Sequence, residues 1–222
     1  MTLTSIFRVK HLEPPPRLYA LMAQGSLMRR IYRGFVADLA EGLPPGTRLL
    51  DVGTGPGYLL GYLARARPDL SLWGLDSSYG MISRARPRQA VFAPQAAPRW
   101  LVADACLLPF PAAAFGHVVA TFSFHIWPCP VAGLQELRRV LQPGGRAWVY
   151  ELRREASIRD LQAFARETRL PLPLVYLGFQ TVKRQHALPA AELAHLLKQA
   201  AGARGTLRPA RHLFWRVELQ TV

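Results

Sequence analysis

Apolar residues between Arg17 and Gly42 (Leu21, Leu27, Met28, Ile31, Phe35 and Leu39) recur near helical spacing, and Leu43-Pro44-Pro45-Gly46 closes the predicted helix. The run Arg48-Leu49-Leu50-Asp51-Val52 then ends in glycines, as a buried parallel strand does. Strand and helix alternate from there: a helix over Tyr58–Ala66, a strand over Ser71–Leu75, a short helix over Gly80–Arg86 and a strand over Arg99–Ala103. A fourth strand, Phe115–Thr121, follows a proline-rich loop. Val131, Leu134, Leu137, Val140 and Leu141 make a helical stripe stopped by Pro143-Gly144-Gly145, and Arg146–Leu152 is a fifth strand. Alternation on this beat predicts a parallel sheet covered by helices on both faces.

The last third changes character. A charged helix over Ala156–Thr168 meets the breaker Leu170-Pro171-Leu172-Pro173, and an apolar, aromatic stretch follows at Leu174–Phe179. Pro189–Ala201 predicts a helix with Gly202 past its end, and Thr206–Leu207 and Phe214–Leu219 predict two closing strands around a bend. The expected organisation is one domain over 1–222: a helical cap (1–47), a ligand-binding core (48–152), an inserted segment (153–188), and a last helix with closing strands (189–222).

Half of the 222 residues are apolar, which permits a large core and excludes a disordered tail. No stretch approaches the roughly 20 apolar residues of a membrane span, and the opening residues lack a signal peptide's pattern. Two cysteines, Cys106 and Cys129, make neither a disulfide framework nor a metal set, so a cytoplasmic location is expected and no metal. The formal charge is +14, carried by 25 arginines and only three lysines, with no asparagine in the chain. An excess of this size invites a nucleic-acid reading. Its distribution is flat, however: residues 1–47 carry +3, 48–150 carry +5 and 151–222 carry +6. A diffuse compositional bias accounts for that, and nucleic acid is not expected as a partner.

The chemistry begins at Asp51-Val52-Gly53-Thr54-Gly55-Pro56-Gly57, where a strand ends and a helix opens. Glycines there permit a tight turn and let a nucleotide-like ligand approach the backbone; a tight strand–helix turn also needs glycine for structure alone. Asp76 stands 19 residues beyond Gly57. A carboxylate at that strand end can accept both ribose hydroxyls, or it can cap the next helix; Ser77 and Ser78 are equally able caps, which would leave Asp76 free. Asp104, in Ala103-Asp104-Ala105 after the third strand, can take an adenine amino group or serve as an ordinary loop acid.

In order, LLDVGTGPG, GLDSSYGM, ADA, LPFPAAAFGHVVATFSFH and ELRRVLQPGGRAWVYEL resemble a class I S-adenosylmethionine-dependent methyltransferase of the small-molecule group that includes the ubiquinone/menaquinone biosynthesis enzymes. The resemblance covers about Thr47 to Leu152 and rests on five motifs in sequence. It implies a Rossmann-like, doubly wound α/β fold with a mostly parallel seven-stranded sheet and an antiparallel last strand. It also implies S-adenosyl-L-methionine as cofactor. Asp51 and Gly53, Thr54, Gly55, Pro56 and Gly57 would hold its methionine part, Asp76 the ribose, Ser77 and Met81 the adenine faces, and Asp104 and Ala105 the adenine edge. Thr121, Phe122 and Ser123 would line the pocket beside the sulfonium. Relatives often carry Asp where Gly116 stands, at the strand's far end.

Methyl transfer from a cationic sulfur needs alignment and exclusion of water, and a general base only where the acceptor arrives protonated. His125 is the expected base, with a structural histidine bonded to loop backbone as the alternative. Tyr19 and Tyr32 either close over the cofactor or simply pack. Trp127, Tyr176 and Phe179 either wall an apolar acceptor site or belong to the core. Arg153 and Arg154 either hold an anionic acceptor or are solvated. The expected activity is methyl transfer to a small molecule. The alternatives are an RNA or protein methyltransferase, suggested by the charge, a non-catalytic cofactor-binding protein, and a NAD-dependent oxidoreductase, which the Gly-x-Gly-x-Gly spacing disfavours.

Overall fold

The computed structural model describes residues 26–92, 97–201 and 205–221. Tyr19 and the first part of the expected N-terminal helix lie outside them. The elements run α1 (Ser26–Gly42), β1 (Arg48–Val52), α2 (Tyr58–Ala66), β2 (Ser71–Asp76), α3 (Tyr79–Phe92), β3 (Arg99–Val102) and β4 (Phe115–Thr121). A short 3-10 turn (Phe124–Ile126) precedes α4 (Pro130–Val140) and β5 (Leu141–Arg153). The chain ends with α5 (Ile158–Thr168), α6 (Leu172–His186), β6 (Ala187–Leu188), α7 (Ala190–Ala201), β7 (Gly205–Ala210) and β8 (Phe214–Gln220).

The sheet has the order β3-β2-β1-β4-β5-β8-β7, with β6 paired to β5. Strands β1 to β5 are mutually parallel, and β8 runs antiparallel to both β5 and β7. With the two-residue β6 the described residues form eight strands, one more than the expected seven. Chain direction across the sheet reverses between β1 and β4, which opens a crevice at their carboxyl ends.

Side-chain alternation along each strand sorts the core into two layers. Leu49, Val119 and Tyr150 face a cluster built by Phe35 and Leu39 of α1, Leu60 and Leu63 of α2, Phe164 of α5 and Phe179 of α6. Leu50, Val118 and Val149 face Leu134 and Leu137 of α4 and Leu193 and Leu197 of α7.

Three proline signals act differently from expectation. Pro171 and Pro173 do not break the chain before a loose stretch; Pro171 caps α6 and Pro173 sits in its first turn. Backbone N–H groups there have no intrahelical partner to lose, so proline starts a helix at no cost in hydrogen bonds. Pro87 likewise sits inside α3, which continues past Arg86. Pro143-Gly144-Gly145 lies within β5 rather than between helix and strand: α4 has already ended at Val140, Phe115 pairs Leu141 and His117 pairs Arg146, and the register shifts across the segment.

Phe35 ties the cap helix to the sheet. It is fully buried, with its ring 4.4 Å from Tyr150, 5.2 Å from Phe214 and 5.6 Å from Phe122 between centroids. Phe35→Ala should lower the unfolding free energy in urea by about 3–5 kcal/mol. Leu177→Ala, at a side chain 64% exposed, should change it by less than about 0.5 kcal/mol.

Candidate functional site

At the carboxyl end of β1 the chain turns through three glycines in the left-handed region, Gly53, Gly55 and Gly57, with φ of 74°, 55° and 79°. Two of them also permit close approach. A Cβ on Gly53 would fall 2.3 Å from Ser123 Cβ, and one on Gly57 2.6 Å from the Trp100 ring. Gly53 and Thr54 both donate their N–H groups to the Leu75 carbonyl at 2.9 Å, which fastens the loop to β2.

Asp76 completes that fastening. One carboxylate oxygen accepts from Gly55 N at 2.9 Å and the other from Ser78 N at 2.8 Å. The expectation that the serines would leave Asp76 free is therefore corrected: it stabilises the turn into α3 and the glycine loop together. Each oxygen accepts one of these bonds and keeps a second lone pair, so the group still has capacity for hydroxyl donors. Burial pushes its carboxyl above the ordinary range, opposed by the bonds from Ser78 and Gly55.

Asp51 is fully buried. Thr54 donates its hydroxyl to Asp51 Oδ2 at 2.7 Å, while Oδ1 has no hydrogen-bond partner among the described residues. Burial pushes the carboxyl up to about 7, against the Thr54 bond and with a further push from the Asp76 charge. A buried carboxylate oxygen beside a glycine cradle fits a ligand carrying an ammonium group, which would bring both the missing donor and a neutralising charge. These residues fit the cofactor that the resemblance implies.

The rim is set by the ends of β2 and β3, which pair up to Asp76 and Val102. Ser77 and Asp104 are exposed, and Met81 and Ala105 are buried. Asp104 Oδ1 accepts from Cys106 N at 2.8 Å, so it shapes its own loop. Exposed apolar side chains at Tyr79, Val102 and Leu107 follow these strand ends; the sequence reading passed over them because a lone exposed apolar residue carries no periodic signal.

At the end of β4, Thr121 and Ser123 are buried, and Ser123 Oγ donates to the Val52 carbonyl at 3.0 Å, which joins this turn to the glycine loop. Phe122 between them has φ 56°, a left-handed conformation that is strained for a residue with a side chain. His125, two residues beyond Ser123, is buried and engaged at both ring nitrogens: Nδ1 lies 3.0 Å from Glu151 Oε2 and Nε2 lies 2.9 Å from His186 Nδ1. Glu151 also accepts from the backbone N–H groups of Phe124 at 2.8 Å and His125 at 3.3 Å. Glu151 and His186 were missed by the sequence reading. One signal existed for the first, a lone acid inside the apolar strand run Ala147–Leu152.

The expected acceptor residues among those described are spread over both core layers and the surface. Tyr32 packs in the α1 layer, its ring 6.2 Å from Tyr58 and 6.5 Å from Phe122. Trp127 is buried in the opposite layer, 5.2 Å from Phe124. Phe179 is core in the α1 layer, and Tyr176 is half-exposed on α6. Arg153 donates to the His212 carbonyl at 2.8 Å, lies 3.5 Å from Asp160 and covers the Trp215 ring. Its guanidinium holds the β7–β8 hairpin rather than standing ready for an acceptor. Arg154 is exposed. Among the described residues no cluster of metal-binding side chains occurs.

The family described as a methyltransferase domain matches residues 50–149. The uncharacterized methyltransferase YdaC of Bacillus subtilis is 30% identical over 128 residues, 57% of this chain and 68% of that one. A demethylmenaquinone methyltransferase of Thermus thermophilus is 37% identical over 134 residues, 60% of this chain and 59% of that one. Among solved structures, an S-adenosylmethionine-dependent methyltransferase from Aquifex aeolicus superposes with a TM-score of 0.70 at 20% identity, covering 95% of this chain and 100% of that one. At that identity the likeness shows the fold.

Asp51 generates a pH prediction. Its folded carboxyl titrates at about 7 against an ordinary value of 3.8, so the native state keeps a proton that the unfolded chain releases. That contribution is present below the ordinary value and is lost as pH rises through about 7, by a few kcal/mol in all. His117, pushed down to about 3 by burial, acts with the opposite sign in the acid range. The comparison is therefore urea unfolding of wild type against Asp51→Asn, in which His117 cancels. The variant's stability relative to wild type should rise from pH 5 to pH 8.

Proposed function

The chain belongs to the class I S-adenosylmethionine-dependent methyltransferases, and from that premise we propose that it methylates a small-molecule acceptor. The observation that carries this reading is the hydrogen-bonded unit at the carboxyl edge, in which Asp76 holds the glycine loop and Asp51 keeps an oxygen with no hydrogen-bond partner among the described residues. In this reading Asp51 and residues 53–57 take the methionine part, Asp76 the ribose hydroxyls, and Asp104 and Ala105 the adenine edge, with Ser77 and Met81 on its faces. Thr121, Phe122 and Ser123 then stand beside the sulfonium. When bound, the cofactor supplies a methyl group activated by a cationic sulfur. The chain's contribution is alignment and the exclusion of water by the buried turn at Phe122–His125.

Three features support a small acceptor. The segment over the acceptor side is two short helices, α5 and α6, packed on the sheet through Leu161, Phe164, Val175 and Phe179. The positive charge is spread over the whole chain rather than gathered into a module. The Thermus relative is named for a quinone-type acceptor. No described helix is long and apolar enough to cross a membrane, and the free thiols of Cys106 and Cys129 suit the reducing cytoplasm, which we propose as its location.

S-adenosylmethionine and its demethylated product should each raise the melting temperature, by the equivalent of about 2.7 kcal/mol at a hundred times their dissociation constants, and NAD should not. Labelled methyl from the cofactor should then appear in the organic-extractable pool of a cell extract; label in precipitated RNA or protein would overturn the small-molecule reading. Asp76→Ala should weaken cofactor binding about 10- to 100-fold by calorimetry, since it removes charged acceptors and leaves Gly55 N–H unpaired.

A further inference from the structure

The two cysteines of the chain, 23 positions apart, meet beyond the carboxyl ends of neighbouring elements. Cys106 follows β3, and Cys129 follows the 3-10 turn after β4. Cys106 Sγ donates to the Cys129 carbonyl at 3.2 Å. Standard bond lengths put a carbonyl oxygen about 2.4 Å from its own Cα, so this sulfur lies within about 6 Å of Cys129 Cα. A disulfide spans Cα atoms about 4.4–6.8 Å apart, and closing one here asks only a small approach of the two segments. Cys129 is exposed and Cys106 half-buried, so an oxidant in solution meets Cys129 first. Burial pushes the Cys106 thiol up to about 11, against the bond to the Cys129 carbonyl and with a further push from the charges of Asp104 and Cys129. Cys106 therefore keeps its proton at neutral pH and suits the second, resolving step.

The two segments differ in how firmly they are held. Cys129 stands between Pro128 and Pro130, each of which fixes its own backbone. It also begins α4, where its carbonyl accepts from Gly133 N at 2.9 Å. The Cys106 turn is pinned at its ends, by Ala103 N on the Asp76 carbonyl at 3.1 Å and by Leu108 N on Glu136 Oε2 at 2.8 Å. Between those points it is tied mainly to itself. Asp104 Oδ1 accepts from Cys106 N at 2.8 Å, and the Asp104 carbonyl accepts from Leu107 N at 3.2 Å. A pull on Cys106 towards Cys129 accordingly carries Asp104 with it.

We propose that Cys106 and Cys129 form an oxidation-sensitive dithiol, which closes to a disulfide under peroxide and thereby weakens binding of the nucleotide cofactor. The weakening rests on the reading above that sets Asp104 at the adenine edge; the closure does not. In the first step the Cys129 thiolate attacks a peroxide oxygen, the oxygen–oxygen bond breaks, and a sulfenic acid and hydroxide form. Cys106 sulfur then bonds to Cys129 sulfur, the sulfur–oxygen bond breaks, and the thiol proton leaves with the hydroxyl as water. Two thiols and one peroxide thus give one disulfide and two waters, the sulfurs losing the two electrons that the peroxide gains. By linkage, a disulfide that weakens the nucleotide by some factor is itself disfavoured by bound nucleotide to the same factor.

The test treats the full chain with hydrogen peroxide, blocks remaining thiols and maps its peptides without reduction. The chain should become about 2 Da lighter and yield a peptide joining Cys106 to Cys129. Calorimetry should show S-adenosylhomocysteine binding about 10-fold more weakly to the oxidised protein, with recovery after dithiothreitol. In a glutathione redox buffer, saturating nucleotide should lower the disulfide-to-dithiol ratio by the same factor. Cys129→Ser should bind the nucleotide like the reduced protein and lose all response to peroxide. Sulfinic acid at Cys129, or links only between separate chains, with no joined peptide overturns the dithiol. Equal affinity of the oxidised and reduced proteins overturns its coupling to the cofactor. If the nucleotide binds neither form, the cofactor reading fails instead, and the joined peptide still decides the dithiol.

Discussion

Asp51 and Glu151 are lifted wholly out of water at the carboxyl edge of the sheet, and among the described residues neither pairs with a lysine or arginine. A buried carboxylate so placed is costly, and the local structure is arranged around meeting that cost with neutral donors. Thr54 turns its hydroxyl onto Asp51, and the turn after β4 winds so that the N–H groups of Phe124 and His125 point at Glu151. Phe122 holds a left-handed backbone to make that turn, its ring clamped by Tyr32, Phe35 and Phe214. The aromatic layer under the cap helix thus supports the geometry of the polar edge above it. A sulfonium or an ammonium arriving at this edge would bring positive charge that offsets the burial of these carboxylates.

Three of the arginines have structural roles that composition alone does not show. Arg67 donates to the carbonyls of Ala40 and Leu43 and to Asp69, and so fixes the end of α1 to the end of α2. Arg139 reaches the carbonyls of Leu108 and Phe110 as well as Glu136. Arg211 binds Asp38 with two nitrogens and Glu167 with a third, joining the β7–β8 hairpin to α1 and α5. Each uses the planar fork of guanidinium to satisfy several oxygens at once, which a lysine ammonium does less well. These side chains are spent on tying loops and helix ends, in keeping with a charge spread evenly along the chain.

Where expectation and structure part, the cause is a local signal with two meanings. Proline marks either a stop or a start, and only the position of Pro171 and Pro173 at the beginning of α6 selects the second. Aromatic side chains serve a pocket or a core equally well by composition; Trp127 and Phe179 are core, in layers on opposite faces of the sheet. Arg153 reads as a free cation after β5, yet Trp215 and the His212 carbonyl, about sixty residues further on, take it up.

Strand and helix order, the left-handed glycine turn and the placing of Asp51, Asp76 and Asp104 at successive strand ends were all set by short-range pattern. Period-two and period-3.6 hydrophobicity and the steric freedom of glycine act over a few residues, and the sequence displays them directly. Tertiary structure alone decided which polar groups meet. Glu151 and His125 are 26 positions apart and His125 and His186 are 61 apart, joined by β5 pairing beside β4 and by the carboxyl end of α6 reaching the same edge. No local spacing rule links such residues, because a hydrogen bond forms at about 3 Å in space whatever the distance along the chain.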